Sequence, residues 1–478
     1  MSSGDTILEL IRLFVFLVGA AALVTILARR INLPYTVALV GFGIVAGAVA
    51  QPLRLEITPQ LVLVVLLPAL IFEASYQTDF GKLRPSLGGV ALLAGPGVLV
   101  SAAIIAAALH LGAGLGWSES FVVGAMLSAT DPAAVIATFK RLHSSRRLAT
   151  LVEAESVFND GTGIVIFAIA VDFVTRPVGP GEVGLAFVSV VVVSAVLGAV
   201  AGYAASHLLP NVGDHLIEIS LSVVLAYGTY LVADALHQSG VIATAVAGIV
   251  LGNYGRRLGL SKRTEEALET VWEFVAFLAT AFVFLVVGFA ISVRSLADVA
   301  TPIAWAIAAT LAGRAVIVYG LLGGWRLGRR GWRARTAKAR EVAGAGAAVT
   351  ASSAVAAATP AGAGSADIGK RRGPAADGRD EGALPFEWLH VVFWSGLRGA
   401  VSTALALSLP VDFPNRAALQ GITFGVVLFT LIVQATTADL VVGRWGRKDP
   451  ARRKPGRKSS ARPVDGETVE QAGTGPAS

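Results

Sequence analysis

The stretch Glu155–Gly163, ESVFNDGTG, sets two carboxylates and a carboxamide inside an apolar run. Ser156 and Asp160 are four residues apart, as are Glu155 and Asn159, while Ser156 and Asn159 are three apart. On a helix these four side chains share one stripe. The stripe offers a hydroxyl, a carboxamide and carboxylates, all oxygen donors. No histidine lies beside them and the chain has no cysteine, which argues against zinc, iron or copper and excludes disulfides. Few carboxylates among neutral oxygens suit a small monovalent cation. One carboxylate out of water can hold either a proton or a metal cation, so the two compete and exchange of one for the other follows.

Other charged groups share this setting: Glu73, Asp131, Glu153, Arg314 and Arg398 also fall within apolar runs. A charge at the bilayer centre costs on the order of 2.5–3.5 kcal/mol on insertion scales, so such groups persist where they are paired or hydrated and mark functional sites by default. Glu153 is read as facing the cytoplasmic mouth. His143, His207 and His215 are read as ordinary interfacial residues at the cytoplasmic ends of helices.

The elements that must position these groups are membrane helices. Of 478 residues, 54% are hydrophobic and 15% charged, against about 25% charged in soluble chains. Mean hydropathy is +0.69. Apolar runs of about 18 to 25 residues recur, each able to cross the hydrocarbon as a helix, which makes the chain an all-α integral membrane protein. The first, Ile7 to Leu27, is not preceded by a basic residue or followed by a small-residue cleavage site, and reads as a retained helix. Thirteen spans are expected, at 7–28, 35–50, 59–77, 86–109, 120–139, 147–174, 184–207, 215–235, 240–254, 271–292, 301–325, 388–409 and 417–443. With the N-terminus outside and the C-terminus in the cytoplasm, 32 of the 39 Lys and Arg fall on the cytoplasmic side and four outside, as the positive-inside rule requires.

Four regions follow: spans 1 to 11 over 1–325, a disordered cytoplasmic linker rich in Ala, Gly and Arg over 326–387, spans 12 and 13 over 388–443, and a basic cytoplasmic tail over 444–478. Within the linker, Val342–Ala366 is uncharged and long enough to span, but its Ala, Gly, Ser and Thr gain little from lipid, and making it a helix would turn the basic tail outside. Spans 1–6 and 8–13 make two six-helix sets of opposite topology, the inverted-repeat plan of secondary transporters. The fifth span of the first set, with SATDPAAV, and its counterpart, with SGLRGAVS, both carry helix-breaking residues mid-span: Pro132 in one, Gly396 and Gly399 in the other. Backbone groups freed at membrane depth must line a cavity or bind something.

The segments PALIFEASYQTD, SATDPAAV, EAESVFNDGTG and GLRGAVS, in this order, resemble the signatures of the monovalent cation/proton antiporters of the NhaP and NHE type. The resemblance covers most of the chain and implies a sodium/proton exchanger of the plasma membrane serving pH homeostasis, with no cofactor. Its partners would be the cations Na+, Li+ or K+, the proton, membrane lipid and a second copy of the chain, with no nucleic acid. Asp160 would be the shared cation- and proton-binding carboxylate. Thr130, through its backbone oxygen, and Ser156 would help ligate the cation. Asp131 and Glu73 would act partly through water, and Asn159 would stabilise the site. Glu155 would pair with Arg398, and Arg314 would pair inside the core. Spans 1–3 and 8–10 would form the dimer side, spans 4–6 and 11–13 a moving core. Electrogenic relatives carry Asp where Asn159 stands, so the resemblance implies electroneutral exchange of one cation for one proton. A potassium/proton antiporter of the same family is the alternative. An intramembrane aspartyl protease is disfavoured because the glycines of NDGTG follow Asp160 instead of preceding it. A cation channel is disfavoured because the site is asymmetric and internal.

Overall fold

The computed structural model describes residues 3–31, 33–49, 61–84, 87–175, 180–291, 293–328, 335 and 385–446, and every regular element among them is helical. In chain order the main elements are α1 (Ser3–Arg30), α2 (Tyr35–Val49), α3 (Leu67–Gln77, entered through a π-helical turn over Leu61–Leu66), α4 (Leu87–Ala113), α5 (Trp117–Met126), α6 (Ala133–Leu142), α7 (Arg146–Thr175) and α8 (Pro180–Leu208). They continue with α9 (His215–Ala235), α10 (Gly240–Val250), α11 (Lys262–Ala290), α12 (Ala300–Gly328), α13 (Phe386–Trp394), α14 (Ala400–Leu407) and α15 (Arg416–Trp445). Among the described residues seven helices, namely α4, α7, α8, α9, α11, α12 and α15, are long and apolar enough to cross a membrane. The chain is an all-helical, multi-pass membrane protein.

Local chemistry explains the irregularities. Pro96 sits inside α4, where a π-helical turn over Leu93–Gly97 absorbs its missing N–H. Val188, Val192, Val196 and Val200 stay exposed along one face of α8, a row suited to lipid contact. Two expected spans are each cut in two. Pro132 cannot donate an N–H and disfavours helical geometry at Asp131, so the chain leaves the helix after Met126 and resumes at Ala133. The other break, Ser395–Gly399, lies between α13 and α14.

Packing divides the helices into two groups. Phe72 and Tyr76 of α3, Ala226 of α9, Ala247 of α10 and Trp272 of α11 share one buried cluster, and Trp272 donates its indole N–H to Ser222 at 3.0 Å. A second cluster joins α4, α6, α7, α12, α13 and α15 through residues such as Leu93, Phe139, Leu151, Leu322, Trp388 and Ala438. The largest cluster runs between the two groups. In the first group helices approach to backbone contact. A Cβ on Gly43 of α2 would lie 2.5 Å from the Leu285 carbonyl of α11, and one on Gly288 would overlap the Val40 carbonyl. Small residues permit the close approach on which helix association in lipid depends.

The linker expected over 326–387 is shorter at both ends: α12 continues to Gly328 and α13 starts at Phe386. Its ends meet, with the Arg326 guanidinium 5.6 Å from the Phe386 ring and the Tyr319 hydroxyl 2.9 Å from Nδ1 of His390. Positions 329–384, apart from 335, and the tail beyond 446 lie outside the described residues.

The α2–α11 contact leads to a direct test. Gly43→Leu should lower the melting temperature of the detergent-purified protein, since overpacking costs about 1–3 kcal/mol. Gly41→Leu on the same helix, where nothing lies within 4 Å, should not. Equal melting temperatures for the two variants would show that the close approach is dispensable.

Candidate functional site

The two breaks cross, and their backbones bond directly: the Asp131 N–H donates to the Leu397 carbonyl at 2.9 Å. Four helix ends converge there, each with unpaired backbone groups and a partial charge. Asp131 serves two of them. Its Oδ1 accepts from the Ala133 N–H at the start of α6 (3.0 Å), and its Oδ2 from the Ala400 N–H at the start of α14 (3.3 Å). A carboxylate between two helix N-termini is the favourable arrangement. Gly399 makes it possible, because any Cβ there would overlap the Asp131 carboxylate.

The opposite ends are served by arginines. Arg398 donates to the Ser128 and Ala129 carbonyls, at 2.7 and 2.8 Å, just past the end of α5. Its own backbone N–H is held by the Thr430 hydroxyl at 3.1 Å. Arg314 of α12 donates to the Val392 carbonyl near the end of α13 at 2.8 Å. Gly396 leaves room for it: a Cβ there would lie 2.6 Å from Nε of Arg314.

Arg314 also makes a two-pronged ion pair with Glu155, at 2.7 and 2.9 Å, both residues being buried. This corrects the expected Glu155–Arg398 pair. The planar guanidinium of Arg314 reaches the carboxylate from α12, whereas Arg398 is committed to carbonyls at the end of α5. Arg314 does pair inside the core, as expected.

The helix 7 stripe meets the break from the other side. The Ser156 hydroxyl donates to the Thr130 carbonyl at 2.5 Å, so these two expected ligand oxygens lie together. Asn159 uses its amide nitrogen as a donor to Thr130 Oγ1 (3.0 Å) and to Glu155 Oε1 (3.4 Å). An ionised aspartate at 159 could donate neither bond and would put a second carboxylate against Glu155. The remaining oxygen of Asn159 and Oδ1 of its neighbour Asp160 are both buried without a hydrogen-bond partner. Asp160 is nonetheless partly accessible as a residue. Arg398 and Asp131 lie within electrostatic reach of it, but no ion pair among the described residues involves it.

Asp131, Thr130, Ser156, Asn159 and Asp160 are thus brought together, and Glu155, Arg314 and Arg398 brace them. Glu73 stands apart. Its carboxylate accepts from Gln77 Nε2 at 2.6 Å, and its charged neighbours are Lys140, Glu153 and Glu273. Residue 73 lies one turn from the end of α3. Tyr35, at the start of α2, lies within electrostatic reach of both Glu73 and Asp131 and was not singled out from sequence. Neither was Thr430, whose grip on Arg398 left no signal, because a helical threonine commonly satisfies itself on its own backbone. A phenol opening an apolar span was the available clue for Tyr35.

The chain is similar to known proteins over most of its length. Residues 18–443 match the family described as "Sodium/hydrogen exchanger, transmembrane". The Na+/H+ antiporter ApNhaP of Aphanothece halophytica is 35% identical over 434 residues, covering 90% of this chain and 73% of that protein. The Na+/H+ antiporter NhaH of Halobacillus aidingensis is 31% identical over 444 residues, covering 90% and 96%. Among solved structures, the sodium proton antiporter MjNhaP1 from Methanocaldococcus jannaschii at pH 8 superposes with a TM-score of 0.68 at 18% identity, covering 92% of this chain and 99% of that one, a likeness of fold.

Removing one partner of the buried ion pair leaves the other charge stranded, at a cost of roughly 3–5 kcal/mol. Arg314→Ala should therefore lower the melting temperature sharply, and Glu155→Ala in the same chain should recover part of the loss. Glu155→Ala should not recover Arg398→Ala. Rescue of Arg398→Ala instead would reassign the pair.

Proposed function

The chain belongs to the sodium/hydrogen exchanger family, whose members are transporters and not enzymes, and we propose that it exchanges a monovalent cation, Na+ or Li+, for H+ across the plasma membrane with Asp160 as the shared carboxylate. One observation carries this reading. Two oxygens on adjacent residues, Asp160 Oδ1 and Asn159 Oδ1, are buried without a donor. Buried acceptors are normally satisfied, and here either a proton on the carboxylate or a cation between the oxygens would do so. The Thr130 carbonyl and Ser156 hydroxyl, now bonded to each other, are positioned to turn toward a cation. Asp131, already held by two helix N-termini, keeps its charge as a fixed part of the wall and acts on the cation through water.

Coupling follows from desolvation. A bare carboxylate resists passage through an apolar barrier, so the site moves between faces only when a cation or a proton cancels its charge. Asn159 leaves one exchanging carboxylate, which makes the exchange electroneutral, one cation per proton. Glu73, Tyr35 and Gln77 would line the cytoplasmic approach, with Glu73 meeting the cation before the site. The same oxygen donors could serve K+, so a potassium/proton exchanger is the second reading.

The surrounding architecture is read accordingly. Counting α5–α6 and α13–α14 as one crossing each gives thirteen spans, in two inverted six-span sets on either side of α8. The Lys and Arg distribution supports an outside N-terminus and a cytoplasmic C-terminus. Helices α1–α3 and α9–α11 would form the dimer side of a homodimer, and α4–α7 with α12–α15 the moving core.

The test is a pH-dye assay in proteoliposomes, run with Li+, Na+, K+ and Rb+, with and without a membrane potential. Wild-type protein should show cation-driven proton flux indifferent to the potential. Asp160→Asn should abolish it while the protein keeps its elution profile on gel filtration. Normal flux through Asp160→Asn would refute the assignment.

A further inference from the structure

Asp160 and Arg398 are opposite charges at the same crossing, and such groups ordinarily pair, because their attraction grows as water is excluded. Here they stand apart. Asp160 has a buried oxygen without a donor, Arg398 has a buried Nε without an acceptor, and no ion pair among the described residues joins them. They are near neighbours. Arg398 grips the Ala129 carbonyl at 2.8 Å, and the next residue, Thr130, is bonded to Ser156 and Asn159 of the Asp160 stripe. The other acids of the crossing are already committed, Glu155 to Arg314 and Asp131 to two amide donors. Something must hold Arg398 off the carboxylate that is left.

Arg398 is tethered at both ends. Its guanidinium is drawn to the Ser128 and Ala129 carbonyls. Its root is held by Thr430, a buried residue of α15 that opens a π-helical turn over Thr430–Ala435. The Thr430 hydroxyl accepts from the Arg398 N–H at 3.1 Å and lies 3.2 Å from the Arg398 carbonyl, an acceptor for its own hydrogen. The same turn fastens the other side of the break, where the Gln434 carbonyl accepts from the indole N–H of Trp394, the last residue of α13, at 3.2 Å. The Arg398 peptide is thus suspended between α15 and the Asp131 N–H, which holds the preceding carbonyl, that of Leu397. Without the Thr430 hydroxyl, a backbone N–H at membrane depth loses its partner and the chain is free to turn at Arg398. The guanidinium then has an unsatisfied carboxylate within reach.

We infer that Thr430 keeps the exchange site open by holding Arg398 away from Asp160. It is a positioning residue, serving the site through the Arg398 backbone. This rests on the reading of Asp160 as the exchanging carboxylate and goes beyond it by naming what stops an internal arginine from taking the cation's place. In an Arg398–Asp160 pair the carboxylate is already neutralised, so Na+ has to displace a guanidinium to enter.

Wild type, Thr430→Val, Thr430→Ser and Thr423→Val are compared in proteoliposomes. Valine keeps the shape of threonine without its hydroxyl, and serine keeps the hydroxyl. Thr423 is the control, a buried threonine of the same helix whose hydroxyl donates to the Leu419 carbonyl of its own helix at 2.9 Å. The initial rate of Na+-driven proton flux is measured against Na+ concentration, and the Na+-induced rise in melting temperature is recorded for each. If the arginine occupies the carboxylate about nine-tenths of the time, the half-saturating Na+ concentration of Thr430→Val rises roughly tenfold. Its Na+-induced stabilisation should shrink at a Na+ concentration that protects wild type, while its gel-filtration profile is kept. Thr430→Ser and Thr423→Val should both stay within about twofold of wild type. An unchanged half-saturating Na+ concentration in Thr430→Val, an equal rise in Thr430→Ser or Thr423→Val, or a Thr430→Val protein that no longer folds would each overturn the inference. A wild-type protein that passes Na+ without moving protons would instead sink the exchange reading, so the two failures are distinguishable.

Discussion

The crossing of two interrupted helices is the constraint on which the rest of the structure depends. Interrupting a helix at membrane depth exposes backbone groups that lipid cannot satisfy, and aims four partial charges at one small volume. Asp131 answers the two N-terminal ends, Arg398 one C-terminal end and Arg314 the other. Three ionisable side chains at this depth are intelligible as the partners of a backbone that has been opened. Once they are installed, the break offers the Thr130 carbonyl and hydroxyl to the facing stripe of α7, where Asp160 lies.

The brace and the site share members without sharing duties. Glu155 is neutralised by Arg314, and Asp131 is held by two amide donors. Asp160 alone among the inner carboxylates of the crossing has a buried oxygen without a donor. Asn159 keeps this division by lending its nitrogen to Thr130 and Glu155, so its own oxygen, like Oδ1 of Asp160, is left without a donor. The chemistry available to the site is therefore set less by how many acids are present than by which of them already have partners.

Much of this was legible in the sequence, and the reasons are specific. Hydropathy placed the long helices, because a run such as that of α4 or α11 has no alternative in lipid. Pro132, Gly396 and Gly399 marked both interruptions. Helical spacing put Ser156, Asn159 and Asp160 on one stripe, and the structure joins that stripe to Thr130. What could not be read was which arginine meets Glu155. Arg314 and Arg398 both lie in spans, and the choice depends on where α12 stands relative to the break, a tertiary distance without a local signature.

The closure between Arg326 and Phe386, reinforced by Tyr319 and His390, bears on how the chain tolerates what lies between α12 and α13. Those two helices are fastened to each other by these contacts, so nothing in between has to set their spacing. The entropic cost of a tethered loop rises by only about 0.6 kcal/mol for each doubling of its length. A polypeptide of almost any size could therefore be inserted or removed at this point without disturbing the membrane body, making it the natural place in this fold for a lineage to accumulate new sequence.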